Sequence, residues 1–276
     1  MSTSDMENIP SNSPPPPQQI FSLAHPPPKS PQCLRLTPRL VLQIQQLSST
    51  SGRPIPVLEV FRPSHLGKSI ATHGGERGSR AKLSPRDLYI LQNEPYTHFA
   101  STTTTTTTST RRASPEIIGA ISQSVTKKQN NTPTTTTTIL YFPSPPSPTA
   151  WKATRLPRGY QFHLIHRIHT RGCSLEWEKR PRSSASEGDD KGDRFVLSIM
   201  GDADGTTLRR PWLATLTKRG LKVGGWDRAQ REYLAFLTED DDEDGHGNVN
   251  GEEIDKCLCH WALGMAVYVA AQEGWF

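Results

Sequence analysis

The chain has 276 residues and a net charge of +5 at pH 7, and only 33% of its residues are hydrophobic. Ordinary globular chains reach ~45–50% on a scale that also counts glycine, so part of this chain cannot bury enough apolar surface to offset its ordering entropy. Four cysteines are too few for a disulfide framework, and the sequence shows neither a signal peptide nor the ~20 apolar residues of a membrane span. We therefore expect an intracellular protein, cytoplasmic or nuclear, without a transmembrane segment.

The first 32 residues are rich in proline and serine, with proline runs at residues 14–17 and 26–28. Such runs favour extended polyproline II structure and do not build a core. The composition therefore predicts a disordered tail over residues 1–32, followed by a single β-rich domain over residues 33–276.

Strands are predicted where apolar and polar residues alternate between turn-forming segments. Residues 39–47 and 55–62 form such a pair around SSTSGRP, and Ile55, Val57 and Phe61 are expected to share one face. Further strands are predicted at residues 86–91, 160–170, 173–178, 194–200, 212–217 and 221–223. Together these segments indicate an antiparallel sheet of about eight strands.

Three polar segments interrupt the predicted strands. Residues 100–138 contain two threonine tracts, and a homopolymer specifies neither a strand register nor a core, so a disordered insert is predicted there. A polar loop is expected at residues 180–193 and an acidic loop at residues 239–253. Within the insert, Ser114 follows two arginines and precedes a proline, which makes it a possible phosphorylation site.

Charge is distributed unevenly along the chain. The acidic loop holds eight acidic residues and no basic one, so removing its charge of −8 leaves the remainder at +13. A basic body of this kind could serve nucleic acid or anionic phospholipid, but a plain solvated basic surface is the favoured interpretation, because no basic run reaches the ~5–8 residues of a clear charge patch. Nucleic acid is unlikely, because no recognition helix and no interleaving of basic and aromatic residues is evident.

The start of the acidic loop resembles the opening of an EF-hand calcium loop. Asp240, Asp242, Asp244 and Gly245 match the ligand pattern, but the twelfth position, where a bidentate glutamate is needed, is Gly251. Coordination then falls short of the ~6–8 oxygens that calcium requires. Calcium binding at the three aspartates is therefore only a weak alternative to a solvated acidic loop.

Other candidate metal ligands have unsuitable spacing. His166 points away from His163 and His169 if the segment is a strand, and Cys257 and Cys259 diverge by ~200° on a helix. Buried thiols are the better interpretation of the two cysteines. The usual hydrolase, zinc-protease and dinucleotide-binding motifs are absent, so no catalytic, cofactor-binding or metal residue is assigned. An enzyme with an unrecognised site in a barrel mouth remains an alternative.

Two helices are predicted after the strands, at residues 227–238 and 252–272. The second is apolar on all sides from Cys257 onward, and it is too short to span a membrane. Such a helix needs a surrounding shell, which the preceding strands supply. The predicted fold class is therefore mostly β: a barrel-like antiparallel sheet with a buried hydrophobic C-terminal helix.

The order FVLSIM, glycine-containing turn, WLATLT, short strand and apolar helix resembles the tubby C-terminal-like superfamily, which includes the LURP-one-related proteins. The similarity is closest over residues 194–271 and weaker over residues 34–99, and the chain is also similar to a group of uncharacterised fungal proteins. The resemblance implies a closed β-barrel threaded by a hydrophobic helix and a non-enzymatic binding or scaffold role. Tubby proteins bind phosphoinositide headgroups through basic surface residues, so anionic phospholipid or a protein partner is expected here.

Overall fold

A computed structural model describes residues 18–27, 36–47, 52–71, 80–93, 116–126, 135–143, 148–165, 174–181, 193–200, 212–226, 230 and 251–276. Its strands are β1 (Gln19–Ala24), β2 (Arg39–Leu47), β3 (Pro54–Arg62), β4 (Lys68–Ala71), β5 (Arg80–Leu83), β6 (Leu88–Gln92), β7 (Glu116–Thr126), β8 (Thr135–Phe142), β9 (Thr149–Leu156), β10 (Gly159–Leu164), β11 (Ser174–Arg180), β12 (Arg194–Met200), β13 (Trp212–Thr217) and β14 (Gly220–Val223). The helix α1 spans Gly251–Gln272.

Twelve of these strands form a closed antiparallel barrel in the order β1-β14-β13-β12-β11-β10-β9-β8-β7-β6-β3-β2. Strands β4 and β5 form a separate two-stranded hairpin. Closure removes the exposed sheet edges that would otherwise pair with other chains. The predicted fold class is confirmed, although the barrel has twelve strands instead of about eight.

The helix α1 fills the barrel interior. Every residue from Cys257 to Ala270 is buried, which confirms the helix predicted from its all-round apolar sequence. Its C-terminal end is closed by Gly274 at φ +68°, where Trp275 N donates to Ala270 O at 2.9 Å. This is a Schellman arrangement, which satisfies helix carbonyls that would otherwise lack donors.

Aromatic side chains from the barrel wall hold α1 in place. Trp261 packs edge-on against Trp151 with ring centroids 5.1 Å apart, and its Nε1 donates to Thr149 Oγ1 at 2.9 Å. Gly264 lies so close to Phe142 that an added Cβ would be 2.5 Å from the ring. The interior is thus a core in which the side chains of the helix and of the barrel wall are closely packed.

Two disorder predictions are corrected by the strands. The tail predicted over residues 1–32 contains β1, which pairs with β2 and β14 and closes the barrel. The insert predicted over residues 100–138 contains all of β7 and the start of β8. In both cases long-range pairing overrides local composition. Proline runs flank β1 and a threonine tract forms the start of β8, but the register of each strand is set by its neighbours in the sheet.

The predicted facing of β3 is also wrong. Val57 belongs to the barrel core, whereas Ile55 is 37% exposed and Phe61 packs in a second cluster, stacked on Tyr89 at 5.5 Å. The register between β2 and β3 shifts at two irregularities, and each shift moves later side chains to the opposite face. The alternation predicted for Leu175 and Trp177 in β11 is confirmed, since both lie in the barrel core.

Candidate anion-binding rim

Most residues singled out in the sequence lie outside the described residues. This holds for Ser114 and for Asp240, Asp242 and Asp244, as it does for most of the acidic loop and for residues 182–192 of the polar loop. Gly251, the twelfth position of the EF-hand pattern, is the first residue of α1. The calcium and phosphorylation hypotheses therefore stay predictions. Of the helix predicted at residues 227–238, only Gln230 is described, and it is helical.

The histidine and cysteine candidates are placed apart. His163 lies in β10, half-buried, while His166 and His169 are outside the described ranges. Cys257 and Cys259 are buried on α1 and form no disulfide, and burial, with Asp255 second, raises the pKa of Cys259. Across the described part of the chain, no group of three or more histidine, cysteine or carboxylate side chains is close enough to hold a metal ion.

Buried His260 on α1 makes the folding stability depend on pH. Burial, and secondarily the charge of Lys256, lowers the pKa of His260 from 6.5 to about 3. Because the folded pKa is depressed, the unfolded chain takes up the proton first as the pH falls below 6.5. The free energy of unfolding should then fall by up to ~1.4 kcal/mol per pH unit between pH 6.5 and the folded pKa, and be restored above pH 6.5.

Urea unfolding at pH 7.5, 6.5 and 5.5 measures this effect. His260→Gln should lose part of the decline between pH 6.5 and 5.5, because glutamine does not titrate. His163→Gln, at a half-buried position on the barrel wall, is the matched control and should keep the native slope. An identical slope in all three proteins would contradict a neutral buried His260.

The described interior contains a small apolar cavity next to α1. It has a volume of about 10 Å³ and is lined by leucines, Ala262, Trp226 and Trp261. A volume of this size corresponds to about one water molecule. A substrate does not fit into this cavity, and its lining is apolar.

The antiparallel barrel has two distinct ends. At the end that we call the C-terminal rim, α1 finishes, and the connections β1–β2, β9–β10, β11–β12 and β13–β14 lie around it. The contact of Glu273 with Tyr160 and Lys179, at the start of β10 and the end of β11, fixes this assignment. The opposite end, where α1 begins and the β2–β3 connection lies, is the N-terminal rim.

Six basic residues line an arc of the C-terminal rim that we call the basic arc: Arg155, Arg158, Arg180, Arg194, Lys218 and Arg219. They sit at three alternate connections of the continuous meander β9–β14, so they lie side by side at one rim although they are far apart in sequence. Lys179 N donates to Arg158 O at 2.8 Å, which ties the first connection to the second. The arc therefore spans six neighbouring strands.

Acidic residues near the basic arc are already engaged. Glu178 accepts from Arg180 at 2.9 and 3.1 Å, and Asp193 and Glu273 lie 2.7 and 3.2 Å from Lys179. The hydrogen bond with Asp193 raises the pKa of Lys179, so its ammonium group stays charged. These contacts neutralise Lys179, which lies beside the arc, and the arc residue Arg180.

Four members of the arc form no ion pair with any described residue: Arg155, Arg158, Arg194 and Lys218. Arg155, Arg158 and Lys218 are exposed at or beside tight turns. The Nε of Arg194 is buried without a hydrogen-bond partner among the described atoms. Uncompensated cations at adjacent positions repel one another and are stabilised when an anion binds between them.

Trp212 holds two arginines of the arc against the outer wall. Its ring lies beneath Arg180 and Arg194, whose guanidinium carbons are 5.1 and 5.2 Å from the ring centroid. The Trp212 side chain is 49% exposed, and its stacking restricts two otherwise mobile side chains. Arginines restrained in this way lose less conformational entropy when they bind a phosphate or carboxylate.

The N-terminal rim has no matching excess of basic charge among the described residues. Glu116 and Asp255 lie there together with Arg53 and Lys256, so two acidic residues are balanced by two basic ones. The helix dipole adds to this difference between the rims, since the negative end of α1 meets the basic arc. The excess of basic charge is therefore on the C-terminal rim.

The sequence contained a signal for the basic arc that strand prediction alone did not use. Basic residues recur at every second connection of the meander, in RLPRG, EKRPR and TKRG. In an antiparallel meander every second connection lies at the same end, so these three clusters must meet. The overall charge of +5 concealed the arc, because the acidic segment masks it.

Among the described residues, no helix combines the length and the apolar character required to cross a membrane.

Comparison of this chain with known proteins found no similar protein. The chain matches no protein-family model, no curated protein and no solved structure.

Proposed function

We propose that this protein is a non-enzymatic binding protein whose basic arc recognises clustered phosphate groups of the kind that anionic phospholipid headgroups carry. The observation that carries the proposal is the presence of Arg155, Arg158 and Lys218 on one rim without acidic partners among the described residues. Arginine forms paired hydrogen bonds with phosphate oxygens, and several such groups on one rim suit a multiply charged ligand.

The position of the basic arc on a single rim supports the same proposal. A protein with one basic end is oriented by a negatively charged surface before contact, because the field acts over about 8 Å at physiological ionic strength. This position explains how a chain of modest net charge presents a strongly basic face.

The resemblance to the tubby C-terminal-like superfamily remains a proposal. A twelve-stranded barrel around an apolar C-terminal helix supports it, and a phosphate-binding basic surface would agree with that family's ligand class. A protein partner with an acidic surface is the second candidate for the same arc. The described interior, with its cavity of about 10 Å³, gives no comparable support to an enzyme site.

Vesicle cosedimentation tests the proposal. The native protein should bind phosphatidylcholine vesicles containing phosphatidylinositol bisphosphate, bind plain phosphatidylcholine weakly, and lose binding as salt is raised. Arg158→Glu combined with Lys218→Glu should weaken binding by about a thousandfold, because each basic residue near an anionic surface contributes ~1 kcal/mol and reversal doubles the effect.

The matched control is Lys152→Glu combined with Lys222→Glu. These lysines are exposed on the outer wall within β9 and β14, and the double substitution changes the net charge by the same amount. The control should bind the vesicles much better than the arc variant. Equal losses in both variants would show that net charge, and not the arc, governs binding. Absence of salt-sensitive binding by the native protein would reject the lipid proposal.

A further inference from the structure

Two exposed leucines lie on the C-terminal rim. Leu36 precedes β2 by three residues and is 65% exposed, and Leu66 follows β3 by four residues and is 71% exposed. Arg39 at the start of β2 is paired in register with Arg62 at the end of β3, so both leucines project from the same end of two adjacent strands. A single exposed leucine is ordinary, but two on the rim that carries the basic arc form a combined surface.

The leucines adjoin the basic arc. Around the barrel, β14 is followed by β1, β2 and β3, and Leu23 N at the end of β1 donates to Arg219 O at 3.1 Å. The arc's last connection is therefore about two strand spacings, or roughly 10 Å, from the start of β2. Basic and apolar side chains thus share one rim, in the combination that suits the interface of an anionic bilayer.

We propose that the C-terminal rim is a membrane-docking face, in which Leu36 and Leu66 enter the headgroup region while the basic arc binds lipid phosphates. This inference rests on the proposed function and names its source of phosphate as a bilayer. A soluble phosphate compound buries little apolar surface, so it gains nothing from the leucines. A bilayer supplies both the phosphates and an apolar layer just beneath them.

The axis of the barrel gives the docked orientation. The helix α1, of 22 residues, runs from one rim to the other and is about 33 Å long. With the C-terminal rim on the bilayer, the first residues of α1 lie at the far rim, several screening lengths away from the lipid charge. The basic arc, which lies on one rim only, therefore favours this single orientation.

The test compares Leu36→Ser combined with Leu66→Ser against Leu47→Ser combined with Ile20→Ser. The control residues are 64% and 59% exposed, at the end of β2 and near the start of β1, on the side of the N-terminal rim. Affinity for vesicles of phosphatidylcholine with phosphatidylinositol bisphosphate should fall about tenfold in the rim variant and remain native in the control. Affinity for a soluble inositol trisphosphate, measured by calorimetry, should be equal in both variants and in the native protein.

Each outcome decides between the two proposals. Native vesicle affinity in the rim variant, or an equal loss in both variants, overturns the docking face while the proposed function stands. If the rim variant loses affinity for the soluble trisphosphate by the same factor as for vesicles, the leucines support the arc instead of entering lipid. This result also overturns the docking face. If the native protein binds neither vesicles nor the trisphosphate, the proposed function fails and this inference fails with it.

Discussion

Leu263→Asp should unfold most of the protein. Leu263 is fully buried at the centre of α1, surrounded by barrel wall on all sides, so an ionised carboxylate there has neither water nor a partner. Burying such a charge costs several kcal/mol, against a stability of ~5–15 kcal/mol for a whole domain. Ala266→Asp, at another buried position on the same helix, should have the same effect.

Circular dichroism and urea unfolding check this result. Lys256→Asp introduces the same side chain at an exposed position of α1 and should retain cooperative unfolding. Truncation before Ile254, which removes the buried part of the helix, should yield aggregated β-rich protein. A truncated chain that stays soluble, with native circular dichroism and a cooperative transition, would mean that α1 is not the core of the barrel.

Replacing residues 100–138 with a short Gly-Ser linker should also abolish folding. The composition of this segment predicts a dispensable insert, but β7 and the start of β8 lie within it. Removing them opens the barrel between β6 and the remainder of β8, exposes two strand edges, and deletes the core residues Ile118 and Ile121 of β7, which faces α1. The loss should be complete, because several core side chains disappear together.

The informative control replaces residues 100–113 alone, between β6 and β7. Loop-closure entropy changes by only ~0.6 kcal/mol per doubling of length, so this variant should melt within a few degrees of the native protein. Thermal melts followed by circular dichroism compare the two deletions. Native-like melting after removal of the full 100–138 segment would show that β7 and β8 are not part of the barrel.

The sequence predicts the helix and most of the meander because their signals are local. The all-round apolar character of α1 requires an enclosing shell whatever the neighbours are, and the alternation in β11 and β12 marks the inward faces directly. Exact strand ends depend on pairing: β11 begins at Ser174 where the sequence predicts residue 173, whereas β10 ends at Leu164 although the sequence predicts residue 170.

The strands missed by the sequence lack a local signal. Thr135–Phe142 begins with four threonines, whose period carries no preference for a face, and its register comes from pairing with β7 and β9. The short β1 is hidden between proline runs, and its place is fixed by β14, which lies at the other end of the sheet-forming sequence. Such pairings depend on residues far away in the chain, which propensity does not report.

The basic arc falls between these two cases. No single basic cluster is long enough to mark a binding surface, and only the topology brings Arg158, Arg180 and Lys218 to one rim. Once the meander is known, the position of each cluster follows from counting connections. The topology does not distinguish a lipid partner from a protein partner, because lipid phosphates and acidic protein surfaces present the same negative charge.

The pairing of β1 with β14 around α1 constrains when the protein can mature during its synthesis. Strand β1 leaves the ribosome first, but its neighbour β14 appears only after all other strands, and the helix that fills the interior follows even later. Until then, inward-facing residues such as Trp151, Trp177 and Phe195 have no helix to cover them. Nascent chains therefore expose apolar surface for nearly the whole time in which the strands are synthesised. We expect a strong requirement for chaperones that bind such chains until α1 has left the ribosome.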